Sequence, residues 1–327
     1  MMKTNLRAGI IGSAGYTGGE LIRILLHHPA VSIAFTHSKS QAGKPLHAVH
    51  QDLLGDTELL FTDEVSHDID LLFLCLGHGE STQFLSQHHF PSSVRVIDLA
   101  NDFRLADHAT LNDRSFVYGL TELNAPLIRT AKNIANPGCF ATAIQLGLLP
   151  LAQQGALHEV YTTGITGSTG AGQSLTATSH FSWRSNNIQA YKTLTHQHLG
   201  EIHQSIAQLQ PQQAAVHFVP LRGDFSRGIH VSSTLKTILS LEELNALYAD
   251  FYSSAPFTHV SSAPISLKQV VNTNKCLIHI EKQGEVAVIH SIIDNLLKGA
   301  CGQAVENMNL MVGLDQSTGL FLKPSAF

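Results

Sequence analysis

The first thirty residues constrain this chain more than any other part of it. The apolar run "LRAGII" (6–11) is followed at once by Gly12, Gly15 and Gly18, and then by Leu21, Ile24, Leu25 and His28 at helical spacing until Pro29 stops the pattern. A buried strand that passes through a glycine turn into a helix is the opening of a βαβ unit. Glycine permits the tight turn and lets a phosphate approach the helix N-terminus, where N–H groups point outward. The spacing is G-x-x-G-x-x-G rather than G-x-G-x-x-G, so the strand–turn–helix context carries the reading as much as the glycines do. A tight turn with no ligand is the alternative.

The alternation continues. "VSIAFTHS" (31–38), "DIDLLFLCLG" (68–77) and "VRVIDLA" (94–100) read as further strands, with helical "ESTQFLSQHH" (80–89) between the last two. Apolar strands alternating with helices predict a Rossmann-type doubly wound parallel sheet of the α/β class. From about residue 150 the texture changes. "HEVYTTGITG", "AAVHFVPL", "GIHVSSTLKT", "KCLIHIEKQ" and "EVAVIHSIID" alternate with period two, and the last two flank a Gln-Gly turn. Helices are expected near 197–209 and 241–252, giving an α+β substrate and dimerisation domain. The C-terminal "KGACGQAVENMNLMV" reads as a helix returning to the first domain. The expected division is 1–140 with 300–327, and 141–299, which suits a chain of 327 residues.

The formal net charge of −5 and the lack of any run of five Lys/Arg argue against a nucleic-acid surface. The first residues lack the pattern of a secretory signal, and the longest apolar runs fall short of a membrane span, so a cytoplasmic protein is expected. The four cysteines (Cys75, Cys139, Cys276, Cys301) are scattered, with no CxxC, which argues against a disulfide framework or a zinc ribbon. Among twenty histidines, His196-x-His198 is the spacing that invites a metal, but no ligand motif accompanies it, and no metal is expected.

Cys139 stands apart. It follows Pro137-Gly138 and opens the apolar helix "CFATAIQLGLLP", which Pro150 is expected to end. The N-terminus of a helix stabilises a thiolate through its dipole and N–H groups, and could do the same for an oxyanion on a carbonyl attacked by that sulfur. The bland alternative is a small buried hydrophobe, the reading given to Cys75, Cys276 and Cys301. At the other end, a NAD site wants Asp or Glu after the second strand; here the chain reads "AFTHSKSQAGK". Ser38, Lys39 and Ser40 suit a 2′-phosphate, which favours NADP. A nicotinamide site beside an activated cysteine points to aldehyde/acyl-phosphate interconversion through a thioester.

The ordered stretches "GSAGYTGGEL" (12–21), "SQAGKPL" (40–46), "DLANDFRL" (98–105), "NPGCFAT" (136–142), "TGSTGAG" (166–172), "THQHLGEI" (195–202), "RGDFSRGI" (222–229) and "DNLLKGACGQAVEN" (294–307) resemble the N-acetyl-γ-glutamyl-phosphate reductase family of arginine biosynthesis, relatives of aspartate-semialdehyde dehydrogenase. The resemblance covers nearly the whole chain. It implies that Cys139 attacks an N-acylglutamyl phosphate, that NADPH reduces the thioester, and that the enzyme is a homodimer or homotetramer. It further implies cofactor contacts from Gly12, Ser13, Gly15, Tyr16, Thr17, Gly18, Ser38, Lys39, Gly77, Ser168, Gly170 and Asn295, the last beside the nicotinamide carboxamide. Substrate contacts are expected from Arg104, Arg227 and His196.

The chain departs from the family where a catalytic histidine usually follows the proline of a strand end: after Pro220 stands Leu221. His217 is the expected acid/base in its place, with His196, His198 and Asp224 as alternatives. Gln173 also replaces a frequently basic residue. These departures leave an N-succinyl or carrier-linked acyl group, aspartate-semialdehyde dehydrogenase, or a catalytically silent NADP-binding protein as alternatives to the N-acetyl substrate.

Overall fold

Strand β1 (Leu6–Ile11) is the centre from which the first unit grows. Its apolar side chains are buried, as a strand covered on both faces requires. In this computed structural model, which describes residues 5–212 and 214–325, β1 leads into α1 (Tyr16–Leu26), β2 (Val31–His37), β3 (Phe61–Thr62), β4 (Leu71–Leu74), α2 (Glu80–Gln87) and β5 (Arg95–Asp98). A small hairpin, β6 (Thr110–Leu111) and β7 (Arg114–Ser115), precedes β8 (Val117–Tyr118), α3 (Thr121–Thr130) and β9 (Asn133–Ala135). Seven strands pair in the order β3-β2-β1-β4-β5-β9-β8, every pair parallel. The parallel sheet expected from the apolar runs is present.

The second unit is built around α4 (Cys139–Gln153), whose residues from Phe140 to Ala152 are all buried. Pro150 does not end this helix as expected; α4 continues to Gln153. A proline inside a helix leaves the carbonyl four residues back without its N–H partner. Here that carbonyl belongs to Leu146, and it accepts the Tyr252 hydroxyl instead, while Tyr248 Oη donates to the neighbouring Gly147 carbonyl at 2.5 Å. Both tyrosines lie at the end of a later helix, so the defect is repaired by tertiary contact.

After α4 come β10 (Glu159–Thr166), α5 (Phe181–Arg184), β11 (Gln189–Ala190), α6 (His198–Leu209), β12 (Ala215–Arg222), β13 (Ile229–Lys236), α7 (Leu241–Phe251), β14 (Thr258–Ser261), β15 (Cys276–Gln283) and β16 (Val286–Ile293). They form a mixed sheet in the order β11-β12-β10-β13-β16-β15-β14. Gly284, with φ of 58°, turns β15 into β16 as the Gln-Gly signal predicts. One face of this sheet carries Val160, Thr162, Gly164, Val216, Phe218 and Val231 and is buried. Phe140 of α4 lies against Phe218, ring centroids 5.0 Å apart. The other face carries Tyr161, His217 and their neighbours and is open.

A π-helical turn at Leu297–Cys301 precedes α8 (Gly302–Met311). The compact units comprise Pro137 and the residues before it with Ala300–Phe321, and Gly138–Gly299 with the tail from Leu322. In the first unit, Asn307 of α8 donates to the Gly119 carbonyl at 2.8 Å. In the second, Ser325 N–H bonds the Val271 carbonyl at 3.1 Å. The expected boundary after residue 140 is therefore late. Cys139 and Phe140 belong with the second unit because their helix is buried there, and the tail from Leu322 leaves the first unit. Among the described residues no helix is long and apolar enough to cross a membrane.

Candidate active site

The glycine turn of the first unit is shaped by backbone proximity. Gly12 has φ of +75°, and a Cβ there would lie 2.3 Å from the Cys75 carbonyl oxygen. A Cβ on Gly18 would lie 2.5 Å from the Ser13 backbone, so α1 can pack this closely only without a side chain. Gly15, the N-cap of α1, differs: its nearest neighbour is 3.6 Å away, no side chain caps the helix, and its first turn holds no acidic residue. That is an open cradle with a favourable field for a phosphate. Ser13 is buried, its Oγ donating to the His37 carbonyl at 2.9 Å and its carbonyl meeting His50 Nε2 at 2.8 Å, so it shapes the turn. Tyr16 is exposed and Thr17 takes the Cys301 thiol on its carbonyl at 3.0 Å. Ser38 is buried at the end of β2; Lys39 beyond it is exposed. Burial, and next the Lys39 charge, hold His37 below its ordinary pKa. Gly77 is exposed, with its N–H on Glu80 Oε2 at 2.9 Å. These residues suit a dinucleotide bearing an additional phosphate.

In the second unit, Cys139 is the first residue of α4 and the one cysteine of the four that is not buried. Burial pushes the Cys75 thiol up to about 12. The start of α4 is enclosed by α6. Glu201, 2% exposed, accepts the Gly138 N–H at 2.8 Å. His198 Nδ1 accepts the Ala141 N–H at 3.3 Å, and its ring fills the space where a Gly138 Cβ would stand, 2.3 Å away. An Nδ1 that accepts from an amide leaves the imidazole proton on Nε2. His196 Nδ1 accepts the His198 N–H at 3.2 Å in the same way. Its ring meets Phe140, Tyr191, His198 and Phe218 at centroid distances of 5.7, 5.8, 4.6 and 5.5 Å. Burial, and then the Lys192 charge, lower His196 to about 4, so it is neutral near pH 7. Gly299 closes the opposite side, since a Cβ there would be 2.8 Å from Cys139 Cβ.

The other residues singled out from the sequence are placed as follows. His217 stacks on Tyr161, centroids 4.9 Å apart, and its Nε2 lies 3.2 Å from Glu159 Oε1 on the open face of the sheet. Helix α4 packs on the other face, so the sheet separates His217 from it. Leu221, by strand alternation, shares His217's face. Arg104 is buried, with Nε on the Asn136 carbonyl and Nη2 on the Leu99 carbonyl, each at 2.8 Å; it braces the loop after β5. Arg227 pairs with fully buried Asp294, Nε to Oδ2 at 3.0 Å and Nη2 to Oδ1 at 3.2 Å. Asp224 accepts the Asn186 N–H at 2.6 Å.

Asn295 accepts the Gly228 N–H on Oδ1 at 2.7 Å and donates Nδ2 to Thr169 Oγ1 at 3.0 Å. It thereby fastens the turn containing Ser168 and Gly170, where Ser168 N–H also bonds the Phe225 carbonyl at 2.8 Å. Sequence reasoning passed over Glu201 and Tyr191. The spacing of His198 and Glu201, one helical turn apart, could have revealed the first; the second carries no local signal. Among the described residues no three His, Cys, Asp or Glu side chains are grouped to hold a metal.

A parallel sheet with an open glycine turn before its first helix, and a separate mixed-sheet unit that presents a thiol on a helix N-terminus, are the two halves of a dehydrogenase of the two-domain class. The comparisons agree. Residues 7–131 match the semialdehyde dehydrogenase NAD binding domain and residues 139–295 the semialdehyde dehydrogenase dimerisation domain. The N-acetyl-gamma-glutamyl-phosphate reductase of Christiangramia forsetii is 54% identical over 324 residues, 98% of this chain and 100% of the relative. That of Bacteroides fragilis is 54% identical over 325 residues with the same coverage. Aspartate semialdehyde dehydrogenase II of Vibrio cholerae, solved with ASA, has the same fold with a TM-score of 0.73 at 16% identity, covering 94% of this chain and 98% of that one. The chain belongs to the semialdehyde dehydrogenase family and, within it, to the N-acetyl-gamma-glutamyl-phosphate reductases.

Proposed function

We propose that the protein catalyses the NADPH-dependent reduction of N-acetyl-L-glutamyl 5-phosphate to N-acetyl-L-glutamate 5-semialdehyde, releasing phosphate, in arginine biosynthesis. The observation that carries this reading is the 54% identity to reductases of that name along their whole length. The placement of Cys139 supports the chemistry. The field at the start of α4 favours an anionic sulfur, and thiolate is the nucleophile. Cys139 Sγ attacks the acyl carbon, the carbon–oxygen bond to phosphate breaks, and a thioester remains on the enzyme. NADPH, when bound, supplies the hydride. The oxygen of the resulting thiohemiacetal takes a proton and later loses it, as the carbon–sulfur bond breaks, the aldehyde forms and the thiolate is restored.

His196 is the side chain we assign to that proton: neutral, with Nε2 protonated, and set among Phe140, Tyr191 and His198. His198 and Glu201 hold the start of α4 in place. In the first unit Gly12, Gly15 and Gly18 shape the pyrophosphate turn, and Lys39 faces the 2′-phosphate. The cofactor-binding domain is the first unit and the catalytic and dimerisation domain the second. Its open face, with Tyr161 56% exposed, is the surface for a second copy in a cytoplasmic homodimer, or in a homotetramer built from two such pairs.

The test runs the reaction backwards, measuring phosphate-dependent reduction of NADP by N-acetylglutamate semialdehyde, with the N-succinyl substrate in parallel. Wild type turns over the N-acetyl substrate, and Cys139→Ala loses at least about 10⁴-fold while still binding NADP. Turnover with the N-succinyl substrate alone overturns the acyl assignment; turnover with neither overturns the reaction.

A further inference from the structure

The substrate carries an α-carboxylate that must be held while the neighbouring chain presents its carbonyl to Cys139. The two arginines expected to do this, Arg104 and Arg227, are engaged within the fold. Two others in the cysteine unit keep donors unfilled. Arg184, at the end of α5, is 8% exposed; Nη2 donates to the Asn187 carbonyl at 3.2 Å, but Nε and Nη1 are buried without a hydrogen-bond partner. Arg222, at the end of β12, holds its guanidinium carbon 4.8 Å from the centroid of the Tyr191 ring, and its Nε is likewise buried and unpartnered.

Buried guanidinium donors are desolvated at a cost that only an acceptor returns, and native proteins leave few of them unmatched. The two arginines are carried by one wall. β11 lies antiparallel to the end of β12, with Gln189 opposite Arg222, and the Asn186 N–H is tied to Asp224. Tyr191, beneath Arg222, also touches the cysteine site: its ring lies against His196, and burial together with the charge of Cys139 pushes its hydroxyl up to about 12.

On the reaction assigned above, we propose that Arg222 and Arg184 form the carboxylate anchor of the active site, taking the α-carboxylate of the N-acylglutamyl chain through charge-assisted hydrogen bonds. The anchor sets specificity. A substrate with the same aldehyde and no carboxylate forfeits it.

The experiment pairs each residue with the group it should bind. kcat and KM are measured for N-acetylglutamate semialdehyde and for N-acetyl-4-aminobutanal, which lacks the carboxylate, in wild type, Arg222→Gln and Arg184→Gln. Arg222→Gln should lose about 100-fold in kcat/KM on the full substrate, chiefly through KM, and Arg184→Gln about 10-fold, with neither changing more than about twofold on the decarboxylated one. Equal losses on both substrates, or none on either, overturn the proposal. A binding arm separates this from failure of the reaction itself. By calorimetry, wild type should prefer N-acetylglutamate over 4-acetamidobutanoate, and Arg222→Gln should erase that preference; a preference that survives the substitution overturns the anchor whether or not turnover is seen.

Discussion

Helices α1 and α4 begin alike and end up opposite. Each has glycine at its N-cap, Gly15 and Gly138, in extended conformation and without a side-chain cap of its own. At α1 the nearest atom to a Cβ on the glycine would be the Gly12 carbonyl oxygen, 3.6 Å away, and no side chain reaches the space. At α4 the ring of His198 and the carboxylate of Glu201 come across from α6 and take the N–H groups of Ala141 and Gly138. The same partial positive field thus serves two purposes. Left open, it suits a diffusing phosphate. With neighbouring donors filled by buried groups, it acts on a nucleophile already attached at the first residue.

The largest effect should come from Gly18→Ala, whose Cβ meets Ser13 backbone atoms at 2.5 Å that cannot step aside. Expected are a destabilisation of about 3 kcal/mol and loss of NADPH binding, read by denaturant titration and cofactor fluorescence; an unperturbed variant would mean that close packing does not shape the open terminus. Glu201→Ala should cost about 1–3 kcal/mol by stranding the buried Gly138 N–H, while Glu201→Gln, which keeps an acceptor oxygen, costs less. If both variants behave alike, the carboxylate's grip on the Gly138 N–H is not what holds α4.

A smaller effect is expected at the open terminus from Lys39→Ala. NADPH affinity should fall by roughly 5–10-fold, worth about 1 kcal/mol, with NADH affinity unchanged; parallel loss for both cofactors would remove Lys39 from the 2′-phosphate. His196→Gln should change stability least at neutral pH. The folded value of His196, about 4, lies below the ordinary 6.5, so between these values the unfolded chain binds more protons. Its contribution is complete above pH 6.5 and is lost as pH falls toward 4. Urea midpoints across that window should slope less in the variant than in wild type.

The contrast between the two termini also marks how far sequence reasoning reached. The apolar runs of β1, β2, β4 and β5 announce a buried parallel sheet, and glycine spacing marks the open terminus, because both signals are local. The strands β8 and β9, of two and three residues, have no period to read. Pro150 reads as a stop, since nothing nearby in the chain shows that Tyr252 will supply the missing donor. His217 is different: the apolar neighbours Val216 and Phe218 already place it on the opposite side of its strand, away from α4. Arg104 and Arg227 show what charge alone leaves out. A sequence displays a guanidinium but not the carbonyls or the Asp294 carboxylate that occupy it.

The tyrosine repair of α4 has a mechanical consequence. A helix of fifteen residues extends about 22 Å at 1.5 Å per residue, and Tyr248 and Tyr252 grip two consecutive carbonyls, Gly147 and Leu146, well along it. Sliding the helix by a single residue would misalign both hydroxyls together. The pair is therefore an axial stop, and the depth at which the Cys139 sulfur stands is gauged from the middle of the rod rather than from the rim of the site.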